Sequence, residues 1–273
     1  MKIIEIKKLK RLYKLTLDDF ISADSALEPT DRLYVTEDTL VKFMLSKGNS
    51  YTETELLEIS AYANYSRGKS LAIYYLGFKS RTAHEVAAYL DAHEIPGADI
   101  PRILSELTTI GLIDDNAYAT RAVESAVLSA TKGPYAIKQK LLLRGIPESI
   151  ILSALTENFP EELQLELATK SAQKKLESLS ARTPAKLLKQ KLQQNLVSKG
   201  FSFSVAADAL DQLTIEKDDD TEQELLTREL DKQYNRLGRR YDGYDLKQRV
   251  TQALARKGFS FSDISDALSD YEF

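Results

Sequence analysis

The sequence predicts a mainly α chain of tandem three-helix repeats, forming a curved, elongated array, with a small antiparallel β segment and helices at the N-terminus. Three observations predict it. Apolar and polar residues alternate strand-fashion through the first thirty-five residues and then switch to a helical period. A landmark followed by a large apolar residue recurs as Glu94-Ile95, Gly145-Ile146, Gly200-Phe201 and Gly258-Phe259. Around each landmark the same core positions return, which is the signature of a repeat architecture.

In the N-terminal segment, residues 1–65, Tyr13, Leu15 and Leu17 alternate with Lys14, Thr16 and Asp18, and Ile4 and Ile6 alternate in the same way. Asp31 to Val35 supplies a third strand, and the short connections rich in Asp, Ser and Pro suit a meander. Thr36 is placed to cap a helix carrying Leu40, Val41, Met44 and Leu45, with Gly48 as its stop. Thr52 and Glu55 have the spacing of a capping box.

The repeats follow. Four residues before the landmark stand Leu90, Leu141, Leu196 and Leu254; eight before stand Val86, Ile137, Leu192 and Val250. These i, i+4 positions form one apolar stripe on a helix. Ten after the landmark stand Leu104, Leu155, Leu210 and Leu268. A Gly after an amphipathic helix fits the left-handed stop, and the next apolar residue packs back on the last turn. Pro147 and Ser204 fit the start of the following helix. Thr82 with Glu85, Gly133-Pro134, Thr183-Pro184 and the Asp242–Tyr244 turn mark the middle-helix starts. The expected repeats are residues 66–112, 113–160, 161–213 and 221–273, with an acidic linker at 214–220.

Chemistry is sparse. The chain has no cysteine and two histidines, and His84 and His93 point to opposite sides of one helix, so no metal, cofactor or catalytic group is expected. Phosphate-loop, dinucleotide and nucleophile-elbow motifs are absent. The N-terminus lacks a continuous apolar run, so neither a signal peptide nor a membrane span is expected, and the cytoplasm is the default compartment.

A net charge of −4 argues against coating duplex DNA. The charge is nevertheless uneven, with eight Lys or Arg between Lys170 and Lys199 against one Glu. Arg144, Lys199 and Lys257 precede the landmark, where a cation also complements the helix dipole. Lys189/Lys191 and Lys247/Arg249 recur near helix starts, where the dipole favours acids, so their recurrence points to a partner. Lys138, Lys140, Arg239, Arg240 and Arg256 complete the candidate surface. Arg and Tyr interleaved from Tyr234 to Tyr244 suit either single-stranded nucleic acid or a protein partner.

"GLIDDNAYA" at Gly111 to Ala119, joined to the basic "KGPYAIKQKLLLRGIPESII" at Lys132 to Ile151, closely resembles the central motif of the RecX regulatory proteins. The similarity runs from about Ser66 to the end, and the strand-containing N-terminus is similar to the leader of longer members. Short members have three repeats; this chain shows four. The resemblance implies a modulator of RecA, a monomer that lies along the RecA filament on single-stranded DNA. It implies inhibition of the filament's ATPase and strand exchange in DNA repair, recombination and the SOS response. Single-stranded DNA would be met weakly or through the filament. Two other readings stand beside it: a helix-turn-helix DNA-binding protein and a helical scaffold for another protein.

Overall fold

The structure, a computed structural model, describes residues 1–21, 30–179, 183–213 and 219–272. Strands β1 (Ile3–Lys8), β2 (Tyr13–Ile21) and β3 (Thr30–Val35) form an antiparallel sheet in sequence order. Leu15 opposes Ile6 on one side and Leu33 on the other, so the alternating apolar residues share one face. Ile4 breaks the expected alternation: the register shifts between Ile3 and Glu5, Ile3 is buried, and Ile4 is 46% exposed. The irregularity hands the inward role from Ile3 to Ile6, as a bulge does.

Helix α1 (Glu37–Lys42) is capped by Thr36, whose side chain accepts from the Thr39 backbone N–H. It is shorter than the sequence suggests. The backbone turns at Met44, with φ 48°, so Val41 and Met44 stay exposed instead of joining a longer apolar stripe. Helix α2 (Glu53–Leu76) starts in the expected Thr52–Glu55 capping box and runs through the expected 65/66 junction without interruption. Leu56, Ile59 and Ala63 pack with the sheet, while Tyr65 and Ala72 pack with the next two helices. One helix therefore serves two cores.

The remaining helices come in triplets. Helices α3 (Ala83–Asp91) and α4 (Asp99–Thr109) pack on α2 and on each other. Helices α5 (Asp115–Ser129), α6 (Pro134–Leu142) and α7 (Glu148–Asn158) follow. Helix α8 (Glu161–Leu179) packs with α9 (Ala185–Ser198) and α10 (Phe203–Asp211). Helix α11 (Asp219–Leu237) packs with α12 (Gly243–Arg256) and α13 (Phe261–Ala267). The stripe and the post-landmark apolar residues are buried in all four triplets. Leu104 alone among the repeated core positions is only half buried, and its neighbours Ile103 and Leu107 carry that core.

Two compact units result, Met1–Ala119 with Leu142–Ile150, and Thr120–Leu141 with Ile151–Phe273. Of the expected acidic linker, residues 214–218 lie outside the described residues, and Asp219 and Asp220 already belong to α11. Two helix starts shift from expectation. Ser202, not Ser204, caps α10 by accepting from Val205 N, because Phe203 is already helical. Pro184 stands one position earlier than expected, at the cap of α9 rather than inside it.

Candidate partner interface

The landmark turns do more than end helices. In the first unit, Gly145 (φ 74°) lies against His84, and a Cβ on Gly145 would overlap that imidazole. The Thr82 hydroxyl donates to the Arg144 carbonyl at 2.8 Å, and the Arg144 guanidinium donates to Glu85 at 2.7 Å. Glu85 also accepts from Thr82 N at 3.1 Å, so one carboxylate closes the capping box and holds the neighbouring cation. The start of the first middle helix is thus a seat for the turn that follows the second.

The second unit repeats the arrangement twice. Gly133 N donates to the Lys199 carbonyl at 2.8 Å, and Tyr135 N to the Gly200 carbonyl at 3.0 Å. These donors would otherwise be orphans at the start of α6, and Pro134 between them has no N–H to satisfy. Gly133 therefore admits a neighbouring backbone, since a Cβ there would overlap Gly200 and Phe201. Gly200 in turn lies on Ala136, and Gly258 lies on Leu187 of α9. Three landmark glycines sit on three middle-helix starts. The left-handed backbone and the close approach both require Gly there.

Most of the candidate cations are engaged within the chain, Arg144 at a joint and the others inside their own triplets. Lys199 donates to the Ser171 hydroxyl at 2.6 Å, and Lys257 pairs with Glu229. That hydrogen bond holds the Glu229 carboxyl below its ordinary value. Lys189 pairs with Asp211 at 2.7 Å, Arg249 with Asp245 at 3.2 Å, and Lys191 reaches Thr183 at 3.5 Å. Arg249 also stacks its guanidinium over Tyr241 at 4.0 Å. Lys138 and Lys247 interact within the chain as well.

Lys189 and Lys191 are two residues apart on a helix, about 200° around its axis, as are Lys247 and Arg249, so neither pair makes one patch. All four stand in the second turn of 14-residue helices, past the reach of the N-terminal dipole. Lys140, Arg239, Arg240 and Arg256 are exposed and carry no ion pair among the described residues.

Sequence reasoning missed the exposed phenylalanines, whereas Tyr244 lies in the Arg–Tyr stretch that it marked. Phe203 and Phe261, the second Phe of each "KGFSFS", are each 70% exposed at the first turns of α10 and α13, and Tyr244 is 82% exposed. The signal was present, since the repeat spells two Phe and only the first is needed for the core. Exposed aromatic and Arg side chains are what protein interfaces draw on. Among the described residues, no group of His, Asp or Glu is placed to hold a metal, and no helix is long and apolar enough to cross a membrane.

Comparison with known proteins agrees with the triplets. The family model described as the second three-helix domain of RecX matches residues 114–155, and that of the third three-helix domain matches twice, at 161–210 and 220–268. A Streptococcus sanguinis protein named Regulatory protein RecX is 47% identical over 272 residues, covering 99% of this chain and 100% of that protein. This chain belongs to the RecX family. A Lactococcus lactis subsp. cremoris RecX protein is 46% identical over 273 residues, covering 100% of this chain and 98% of that protein. A crystal structure of a regulatory protein RecX superposes with TM-score 0.63 at 33% identity, covering 78% of this chain and all of the other. A RecX structure from Lactobacillus salivarius gives TM-score 0.52 at 30% identity, covering 55% of this chain and 96% of the other. The additional RecX repeat is therefore a second example of the third-domain type, with the same 14-residue middle helix and the same Lys-Gly-Phe turn.

Proposed function

We propose that this chain is a cytoplasmic, monomeric, non-catalytic regulator that binds the RecA filament on single-stranded DNA and restrains its ATPase and strand exchange. Full-length similarity to proteins named Regulatory protein RecX carries the reading. The surface supports a protein partner over direct DNA binding. Most candidate cations are engaged within the chain, which carries a net charge of −4, so few remain to displace counterions from phosphates. Exposed Arg239, Arg240 and Arg256, with Phe203, Phe261 and Tyr244, suit a protein surface. DNA is then met through the filament.

The test is RecA's DNA-dependent ATP hydrolysis with the full chain titrated in. A saturable fall is expected, and unchanged hydrolysis with filaments intact refutes the reading. Replacing Lys140, Arg239, Arg240 and Arg256 together by Ser is expected to weaken filament binding by about tenfold or more. Salt-sensitive binding to duplex DNA of equal strength without RecA would favour the helix-turn-helix reading instead.

A further inference from the structure

Among the described residues, three middle-helix starts are occupied by a landmark turn and the fourth, at α12, is not. Among the described residues nothing approaches where a Cβ on Gly243 would stand, and Asp242 makes no side-chain cap bond. Beside this start lies a cavity of about 400 Å³ lined by Tyr234, Asn235, Tyr241 and Leu246 and by the charged Arg239 and Asp242.

Counted from the cap, the α12 start repeats the chemistry of the α3 start. Thr82, a polar cap, corresponds to Asp242. His84, the ring on which Gly145 rests, corresponds to Tyr244. Glu85, the carboxylate that pairs with Arg144, corresponds to Asp245. The α6 and α9 starts have no acid at that third helical position, where Ala136 and Leu187 stand. Asp245 is exposed and, among the described residues, pairs along its own helix with Arg249. A carboxylate and an exposed ring stand at the same positions from the cap as in the occupied joint, and here a cavity lies beside them.

We propose that the α12 start is a docking seat for a partner protein presenting a Gly-capped helix end of the form cation-Gly-large apolar. Likeness to the three internal joints and the carboxylate of Asp245 point to this occupant. A second copy of this chain is not the occupant. Its Arg144-Gly145-Ile146, Lys199-Gly200-Phe201 and Lys257-Gly258-Phe259 turns are all engaged internally, and its remaining landmark is His93-Glu94-Ile95. Glu94, at φ 57°, carries the Cβ that every occupied seat excludes, and no cation precedes it. The proposal goes beyond the RecA reading and does not depend on it.

The chain is free of cysteine, so Asn235→Cys gives a single site for an environment-sensitive fluorophore at the cavity. The probe is a stapled peptide of residues 134–149, PYAIKQKLLLRGIPES, shown to be helical by circular dichroism. Saturable emission change is expected with the labelled full chain. Binding should weaken by about tenfold or more when the peptide carries Gly145→Ala, or when the protein carries Tyr244→Ala. Asp245→Asn should lower affinity and flatten its salt dependence.

No saturable change with the helical peptide, or equal binding of the Gly145→Ala peptide, overturns the proposal. Concentration-dependent self-association abolished by Asp245→Asn would also overturn it, in favour of a second copy. A full chain that binds the peptide but leaves RecA's ATP hydrolysis unchanged would sink the functional reading and leave the seat standing.

Discussion

In the third triplet the cation before the landmark glycine, Lys199, donates to the neutral Ser171 hydroxyl; in the fourth, Lys257 pairs with the Glu229 carboxylate. Gly200 lies on the backbone of Ala136, whereas Gly258 lies on the Leu187 side chain. The two triplets match the same RecX domain description and share the lengths of their first two helices, the stripe and the turn. What the copies share makes the fold, and what differs at equivalent positions sets how tightly and under what conditions each triplet is held.

Alanine at the landmark gives the largest expected contrast. Gly200→Ala combines left-handed strain of about 1–2 kcal/mol with a backbone overlap costing about 1–3 kcal/mol, so a loss near 3 kcal/mol or more is expected in urea denaturation. Gly258→Ala should cost less, because Leu187 can change rotamer while a backbone cannot. Gly48 has the same φ of 94° as Gly200 and nothing nearby, so Gly48→Ala should show the strain alone. Equal losses for Gly48→Ala and Gly200→Ala would mean that the joint contributes nothing.

The first joint adds a half-exposed ion pair to the same geometry. Arg144→Ala is expected to cost about 1 kcal/mol by removing the nearer of the two cations at Glu85, Arg81 remaining at 3.9 Å. A matching loss for Glu85→Gln, not additive with the first, would tie both to one interaction; additive losses would separate them.

The cation partners predict a difference in acid. Glu229 titrates below its ordinary value of 4.5 because Lys257 donates to its carboxylate. Its contribution is therefore fully present above that value and lost as pH falls through the lower, folded one. Unfolding followed from pH 6 downward should show this loss, and Glu229→Gln should flatten it. Lys199→Met should leave the acid limb unchanged, since Ser171 does not titrate.

The smallest effect is expected on the surface. The exposed Lys189–Asp211 pair should contribute only about 0.2–1 kcal/mol, read from a double-mutant cycle. Neutralising Lys189, Lys191, Lys247 and Arg249 should reduce RecA inhibition less than neutralising Lys140, Arg239, Arg240 and Arg256. The reverse order would return the interface to the α9 and α12 faces.

Local chemistry was legible where one helix or strand decides it. Thr52–Glu55 and Thr82–Glu85 form the capping boxes their spacing implies, and the stripe through Leu90, Leu141, Leu196 and Leu254 is buried. The candidate cations were legible only as residue types. Whether a Lys faces a partner or is bound to the chain's own Asp211, Ser171 or Glu229 depends on residues 22, 28 and 28 positions away. No short-range period carries that information.

By itself, then, the sequence determined the elements, their four-fold recurrence and the glycine at three of the four landmarks, because backbone conformation and amphipathic burial are written in local order. Only the tertiary structure decided what those glycines are for. They keep a Cβ out of the seat that the preceding triplet's middle helix offers, a steric requirement set by residues about sixty to seventy positions distant. It also decided that, among the described residues, the α12 start is left open, because occupancy is a property of neighbours in space.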